Sequence, residues 1–253
     1  MGEWGVNAKN FVILHAIIRF VLIMSAILNI ETATDVCSVC LSQDGEMKFS
    51  NADYKGRNHA AVLGGYVKDA SDYARQCEIK LDAVAVSIGP GSYTGLRIGL
   101  SEAKGLCFGL GLPLIGVDTL KILSVAVMFS RFVGEDELFV PMIDARRMEV
   151  FTGVYDLALN EVLAPQPMII DGDSFRELLE SHKMLFMGNG ADKVREVIKH
   201  PNAEFIYGVQ LNAVDMIALS EKAFREKDFI DVAYSTPKYL KKFQATTPKK
   251  NIL

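Results

Sequence analysis

Short apolar runs bounded by polar or turn residues recur along the chain and predict buried β-strands. Ala26–Glu31, Leu81–Ile88 and Leu138–Asp144 are rich in Ile, Leu, Val and Ala, as expected of strands inside a sheet. Val36–Leu41 and Glu149–Tyr155 follow the first and third of these runs across short polar turns, which predicts antiparallel hairpins. Helical periodicity fills the intervals, so the pattern predicts an α/β fold.

Two segments stand out among the predicted helices: Ala60–Arg75, which is amphipathic, and Gly95–Phe108. The second carries Gly95, Gly99 and Ala103 at a spacing of four, which gives it one smooth face of small residues. Such a face allows close packing either on the chain's own sheet or on a helix of a partner. Further helices are expected at Val117–Phe132, at Ser174–Leu185 and at Val209–Phe224, the last capped by Asn212 or Asp215.

The order of the elements repeats, which predicts a duplicated unit. In each half, a strand ends in a carboxylate (Glu31 or Asp144), a hairpin follows, and a glycine loop comes later, at 89–91 or 188–190. This is the pattern of a duplicated RNase H-like fold of the actin, hexokinase and Hsp70 (ASKHA) type, with two mixed sheets and flanking helices. The expected divisions are an extension outside the fold (1–23), two subdomains (24–120 and 121–241) and a basic tail (242–253).

The first glycine loop joins a predicted strand to a predicted helix, with Ser92 or Thr94 as the helix cap. A strand, a glycine loop and a helix N-terminus together can hold a phosphate, or can present the helix to a partner. The loop is not a Walker motif, because Leu96 follows Gly95 where a lysine is required, and Thr94 stands where a dinucleotide fingerprint needs its third glycine.

Two interpretations of the strand-end carboxylates remain open. Glu31 and Asp144 are either turn residues or ligands for the Mg²⁺ of a bound nucleotide, which would make the chain an ASKHA-type ATPase or phosphotransferase. The residues of this candidate nucleotide or phosphate site are Glu31, Thr32, Gly89, Gly91, Ser92, Thr94 and Asp144.

Charge and cysteine content narrow the class of protein. The net charge of −4 provides no general basic field for nucleic acid, although five lysines lie in the tail from Lys238 to Lys250. Cys37 and Cys40 lie in a predicted strand, where residues three apart point to opposite faces, so we interpret them as structural thiols of a cytoplasmic protein. The apolar run Phe11–Ile30 contains Arg19 and overlaps the first strand, which argues against a membrane span.

The segment Gly89–Gly99, with the sequence GPGSYTGLRIG, closely resembles the signature segment of the TsaB (YeaZ) family. The similarity extends from Met24 onward, with Glu31 where relatives commonly have Asp and Lys241 where Arg is usual. Other similar blocks lie at Ile27–Thr34, Asn58–His59, Pro113–Leu120, Ile143–Arg147, Gly188–Ala191 and Pro237–Lys241.

The resemblance implies a non-catalytic accessory subunit that dimerises with a TsaD-type enzyme in the synthesis of tRNA threonylcarbamoyladenosine. It implies TsaE as a further partner, a homodimer when the chain is alone, only indirect contact with tRNA, and ATP and Mg²⁺ only within the complex. The paired helical histidines that hold the TsaD metal are missing, because Leu63 follows His59 at spacing four, and no residue pattern indicates peptidase chemistry. The expected partner interface comprises His59, Val62, Tyr66, Gly95, Arg97, Gly99, Ala103 and Leu106.

Overall fold

The computed structural model of the chain describes residues 25–56 and 58–241. The first of two mixed sheets has the strand order β3-β2-β1-β4-β5, in which β1 runs antiparallel to β2 and parallel to β4. All six residues of β1 are buried, as the apolar run predicts. The strands are β1 (Ala26–Glu31), β2 (Cys37–Gln43), β3 (Glu46–Asp53), β4 (Ala83–Gly89) and β5 (Leu114–Asp118).

The second sheet repeats the topology of the first. Its order is β10-β9-β6-β7-β8, with β6 antiparallel to β7 and parallel to β9, so β6 holds the place that β1 holds in the first sheet. This repetition confirms the predicted duplicated RNase H-like fold. The strands are β6 (Glu137–Asp144), β7 (Glu149–Tyr155), β8 (Glu161–Ile169), β9 (Lys183–Met187) and β10 (Ala203–Ile206).

Helices flank the sheets, and α2 and α3 begin at side-chain caps. The Ser92 hydroxyl accepts a hydrogen bond from Gly95 N at 3.1 Å at the start of α2, and the Asp118 carboxylate accepts one from Leu120 N at 2.9 Å at the start of α3. The helices are α1 (His59–Gln76), α2 (Tyr93–Leu110), α3 (Thr119–Ser130), α4 (Arg176–Ser181), α5 (Ala191–Val194) and α6 (Ile217–Glu226), with a 3₁₀ helix at Ala213–Met216 before α6.

The prediction of one helix over Ser174–Leu185 is wrong. Only α4 is helical there, and the apolar residues Met184–Met187 belong to β9, which is buried between β6 and β10. A short apolar run has the same composition in a buried strand and in a buried helix, so its period cannot distinguish the two. The helix predicted from Val209 begins only at residue 213, and the Asn212 side chain caps nothing because its amide donates to Tyr54 Oη at 2.7 Å.

The described residues group into two compact units whose limits differ from the predicted boundary at residues 120 and 121. The first unit contains 25–56, 58–87, 98–117 and 212–235, and the second contains 88–97, 118–211 and 236–241. The segment 212–235 joins the first unit because Ala213 N donates to Ser38 Oγ at 2.9 Å and Ser25 Oγ donates to the Glu221 carboxylate. The predicted extension (1–23) and basic tail (242–253) lie outside the described residues.

The thiols of Cys37 and Cys40 are free and buried, and burial raises their pKa to about 11 and about 12. Among the described residues, no helix has the length and apolar character required to cross a bilayer.

One close contact fixes α2 on the first sheet. Gly99 is buried, and a Cβ placed there would lie 2.2 Å from the hydroxyl oxygen of Thr32, which follows β1 directly. Ala103, one turn further along the helix, has no exposed surface. Gly99 and Ala103 of the small-residue face are therefore buried by the first unit itself.

We expect Gly99→Ala to lower the free energy of unfolding by about 1–3 kcal/mol, because the new methyl group displaces either α2 or Thr32. Gly105→Ala, on the same helix, is the matched control. A Cβ at Gly105 meets no atom within 4 Å, so this change should raise stability by about 0.5–1 kcal/mol. Urea unfolding measures both, and equal effects of the two substitutions would contradict the packing described here.

Candidate functional site

The outward sides of α1 and α2 border an open groove of about 720 Å³ in the first unit, here called the α1–α2 groove. Its lining is mainly aliphatic or small and includes the charged residues Arg75, Lys80 and Glu102. Phe108, which lies on α2 between the lining residues Leu106 and Gly109, is 87% exposed. An exposed apolar surface rimmed by polar side chains is one mark of a protein-binding face. The lining residues are Ser71, Ala74, Arg75, Ile79, Lys80, Leu81, Ser101, Glu102, Gly105, Leu106, Gly109, Leu110 and Leu112.

Glycines on the outward sides of these helices have no steric role among the residues that the structure describes. A Cβ at Gly64, Gly65, Gly105 or Gly109 would meet nothing within 4 Å, and all four residues are exposed. A glycine inside a helix costs about 1 kcal/mol relative to alanine. Gly105 and Gly109 lie one turn apart and line the groove, where they leave the helix backbone open to close approach from outside.

The residues expected at a partner interface divide into two groups. Arg97 is exposed, Leu106 lines the groove, and Val62 and Tyr66 are half-buried. The other four are buried by the chain itself: Gly95, Gly99 and Ala103 on the inner side of α2, and His59, whose Nε2 donates to the Thr34 carbonyl at 2.9 Å. Gly99 is buried because it packs against Thr32, and His59 is held by its hydrogen bond to Thr34. In the first unit the exposed face of α2 is therefore the one that carries Gly105 and Gly109.

In the second unit, a C-terminal strap (residues 237–241) lies against the first glycine loop. Lys238 N donates to the Ile88 carbonyl at 2.7 Å, and a Cβ at Gly89 would lie 2.8 Å from the Lys238 carbonyl oxygen. Gly89 has φ +113°, a conformation that also requires glycine. This glycine is thus explained by the strap, whereas Ser92 serves as the helix cap and Thr94 is exposed.

Glu31 is buried in the first unit with no exposed surface. Its Oε1 accepts a hydrogen bond from Ala33 N at 2.5 Å. Burial raises the pKa of this carboxyl to about 7, although the hydrogen bond from Ala33 N opposes the shift. A carboxyl enclosed in this way and next to the buried Thr32 is poorly placed to meet a solvated Mg²⁺.

Asp144, in the second unit, is exposed and already engaged. Its carboxylate pairs with Lys193 and accepts from Arg146 N at 3.0 Å, which orders the turn between β6 and β7. The second glycine loop packs on the same strand, because a Cβ at Gly188 would lie 2.4 Å from the Met142 carbonyl oxygen. The described residues contain no group of three or more His, Cys, Asp or Glu side chains suited to a metal ion.

Sequence reasoning included one groove residue, Leu106, in the expected interface and missed the rest of the groove. The sequence did contain a signal for the groove, namely glycines inside two strongly predicted helices at positions outside the small-residue face. Sequence reasoning also missed the strap, because the match at Pro237–Lys241 shows only that the segment resembles a family block and not what the segment covers.

Replacing the buried carboxyl by an amide should change the pH dependence of stability. The folded state keeps the Glu31 proton up to about pH 7, whereas the unfolded chain releases it near its ordinary pKa of 4.5, so the free energy of unfolding falls as pH rises between these values. Glu31→Gln should remove this fall, leaving the variant more stable than wild type at pH 8 by about 3 kcal/mol.

Urea unfolding between pH 4 and 8 measures the effect, with the surface change Glu180→Gln as control. In Glu31→Gln, the free energy of unfolding should still fall with rising pH below pH 6, but with a smaller slope. The reason is that burial raises the pKa of Asp215 to about 6, a shift in the same direction as that of Glu31. Parallel curves for wild type and Glu31→Gln would contradict this account.

Comparison with known proteins gives consistent matches over most of the chain. The family model described as TsaD, tRNA N6-adenosine threonylcarbamoyltransferase, matches residues 50–251. The tRNA threonylcarbamoyladenosine biosynthesis protein TsaB of Escherichia coli (strain K12) is 30% identical over 223 residues, covering 85% of this chain and 94% of that protein. The protein of the same name from Bacillus subtilis (strain 168) is 29% identical over 228 residues, covering 87% and 95%.

A solved structure from Pseudomonas aeruginosa, described as an uncharacterized protein with similarity to the peptidase YeaZ, matches with a TM-score of 0.74 and 26% identity. It covers 86% of this chain and is itself covered completely. The relatives are therefore matched along nearly their whole length, and both sheets are included. The chain belongs to the TsaD family and, within it, to the TsaB (YeaZ) proteins.

Proposed function

We propose that this protein is an accessory subunit in the synthesis of tRNA threonylcarbamoyladenosine, and that it docks a TsaD-type catalytic subunit on the α1–α2 groove. The names of its relatives support the pathway, since the E. coli and B. subtilis proteins are both described as TsaB of this biosynthesis. In this proposal the catalytic subunit carries the chemistry, TsaE is the further partner, and contact with tRNA comes through the complex.

The observation that carries the proposal is the set of outward helix glycines beside an apolar groove. Gly105 and Gly109 have open space where a side chain would stand, and Leu106, Leu110 and Leu112 supply apolar surface beside them. Helix backbones pack closest where small residues face each other, and apolar side chains around such a contact exclude water. A helix of the partner laid across α2 would use both features.

The rival proposal, an ATPase or phosphotransferase, requires Glu31 and Asp144 to serve a nucleotide. Glu31 is buried and accepts from the backbone of its own turn, and Asp144 is paired with Lys193. These engagements support the accessory role over nucleotide chemistry at the two carboxylates.

Calorimetric titration of the isolated chain with Mg-ATP separates the two proposals. We expect no micromolar binding that depends on Glu31. Micromolar binding in wild type that Glu31→Ala abolishes, while Glu180→Gln leaves it unchanged, would favour the rival.

The docking proposal is tested by a substitution that fills the groove with a side chain of this protein. Gly105→Trp places an indole where a partner helix must approach, and the open space around Gly105 lets the chain keep its fold. We expect at least a tenfold loss of affinity for the cognate TsaD-type subunit in biolayer interferometry, which corresponds to about 1.4 kcal/mol or more.

Glu180→Trp, on the exposed surface of α4 in the second unit, adds the same side chain away from the groove and should bind as wild type. Matching melting temperatures of the two variants would confirm that the loss is local. Full affinity in a folded Gly105→Trp variant would refute docking at this groove.

The groove also predicts the behaviour of the isolated chain. When no partner is present, two copies can cover the same apolar surface on each other, so we expect a concentration-dependent homodimer. Sedimentation velocity of wild type and of Gly105→Trp should show a dimer only for wild type. A dimer that persists in Gly105→Trp would assign self-association to another surface.

A further inference from the structure

A second cavity lies in the second unit, between the first glycine loop, the turn that joins β6 to β7, and the C-terminal strap. Its volume is about 190 Å³, well above the 10–15 Å³ that one water molecule needs, and below the 300 Å³ or more of an ordinary small-molecule site. We call it the strap pocket. Its lining residues are Pro90, Gly91, Tyr93, Ala145, Arg146, Phe151, Lys238, Tyr239, Leu240 and Lys241.

The charged side chains that line this pocket are all basic: Arg146, Lys238 and Lys241. Lys241 pairs with Glu149 at 2.6 Å, and nearby Asp144 pairs with Lys193. Neither Arg146 nor Lys238 forms an ion pair with any of the residues that the structure describes.

The remaining acid near Lys238 is Asp118. Its carboxylate is mostly buried and accepts hydrogen bonds from Leu120 N and Lys121 N at the start of α3. The pocket therefore keeps an excess of positive charge in a chain whose net charge is −4.

The backbone holds Arg146 in an unusual conformation. Arg146 and Arg147 have φ values of +73° and +52°, where glycine or asparagine is the ordinary choice in a tight turn. The turn is ordered by hydrogen bonds from Arg146 N to Asp144 Oδ1 at 3.0 Å and from Glu149 N to the Arg146 carbonyl at 3.1 Å. An arginine held in a strained turn at the wall of a cavity indicates a role for its side chain.

Aromatic side chains form another wall. The rings of Tyr93 and Tyr239 lie 5.0 Å apart, the Arg97 guanidinium lies 4.2 Å from the Tyr93 ring centre, and Arg97 Nε donates to Tyr239 Oη at 3.0 Å. Tyr239 remains 39% exposed. An exposed ring beside a cationic pocket suits a phosphate that carries a base, because the ring can stack on the base while the cations hold the phosphate.

We propose that the strap pocket binds one phosphate group, with Arg146 and Lys238 as its cationic ligands and Tyr239 beside it. Arginine and lysine are the residues that proteins use for phosphate, arginine by paired hydrogen bonds and lysine as a point charge. The phosphate can belong to a free nucleotide or to the backbone of an RNA strand. This pocket uses neither Glu31 nor Asp144 as a ligand, and it is independent of the proposed docking groove.

The test uses the full chain at low ionic strength with three probes: inorganic phosphate, ADP and a fluorescein-labelled 17-nucleotide RNA hairpin. The pocket variant is R146Q/K238Q. The matched control is R176Q/K199Q, which removes the same two charges from exposed positions of the same unit. Both variants keep the rest of the basic C-terminal segment, so any nonspecific attraction from it is common to both.

We expect at least one probe to bind wild type and to bind R146Q/K238Q at least tenfold more weakly than R176Q/K199Q, with added salt weakening wild type more than the pocket variant. Binding of ADP without RNA identifies a nucleotide as the source of the phosphate, and binding of RNA identifies the backbone. Inorganic phosphate should shift the amide signals of Gly91 and Arg146 in ¹⁵N spectra, and R146K/K238R should restore binding.

The proposal is overturned if no probe binds wild type, or if both double variants weaken binding equally. Equal melting temperatures of the two variants show that the comparison concerns binding and not folding.

Discussion

The contact between Gly99 of α2 and Thr32 after β1 determines which face of α2 the protein can offer to a partner. A Cβ on Gly99 would overlap the Thr32 hydroxyl, so the helix backbone packs directly on the Thr32 side chain. Because the smallest face of α2 is used inside the first unit, its outward face carries Gly105, Gly109 and the leucines of the groove. The position of the proposed docking surface thus follows from how the helix is anchored.

Close packing that leaves no room for a side chain also explains a glycine in each of the two glycine loops. Gly89 and Gly188 each have a positive φ, and a Cβ on either would collide with a backbone carbonyl of the second unit, that of Lys238 or that of Met142. In ligand-binding loops, glycine often lets a phosphate approach the backbone. Here the chain's own backbone takes that place, and the strap pocket lies beside the first loop and takes its charge from Arg146 and the strap.

The sequence predicted the fold well, because its strands are short apolar runs and the order of elements repeats. β1 and β7 have the predicted bounds, and both sheets have the expected topology. The direction of the small-residue face could not be predicted, since spacing shows that Gly95, Gly99 and Ala103 share a side without showing what lies opposite. The strap was equally inaccessible, because the bond from Lys238 to Ile88 joins residues 150 positions apart (238 − 88) and follows from tertiary packing alone.

The helix glycines and the strained arginines can be explained by the same reasoning. Glycine at position 105 is less favourable than alanine in an exposed helix, and arginine at position 146 is less favourable than glycine at its positive φ. The backbone hydrogen bonds of the β6–β7 turn account for the conformation of Arg146, but they do not require an arginine side chain there. No contact among the described residues requires a glycine at position 105. Gly99 and Gly89 differ from these residues because contacts within the chain require glycine at both positions. A side chain at Gly99 would collide with Thr32, and one at Gly89 would collide with the Lys238 carbonyl oxygen. Residues that are unfavourable at their positions, and that the chain's own packing does not explain, point to a contact with another molecule. They occur at the groove and at the strap pocket.

Helix α2 contributes to both features, with Tyr93 in the wall of the pocket and Gly105 and Gly109 in the groove. Substitutions in α2 must therefore be assigned residue by residue, because the helix also carries the inward contacts on which the first unit depends.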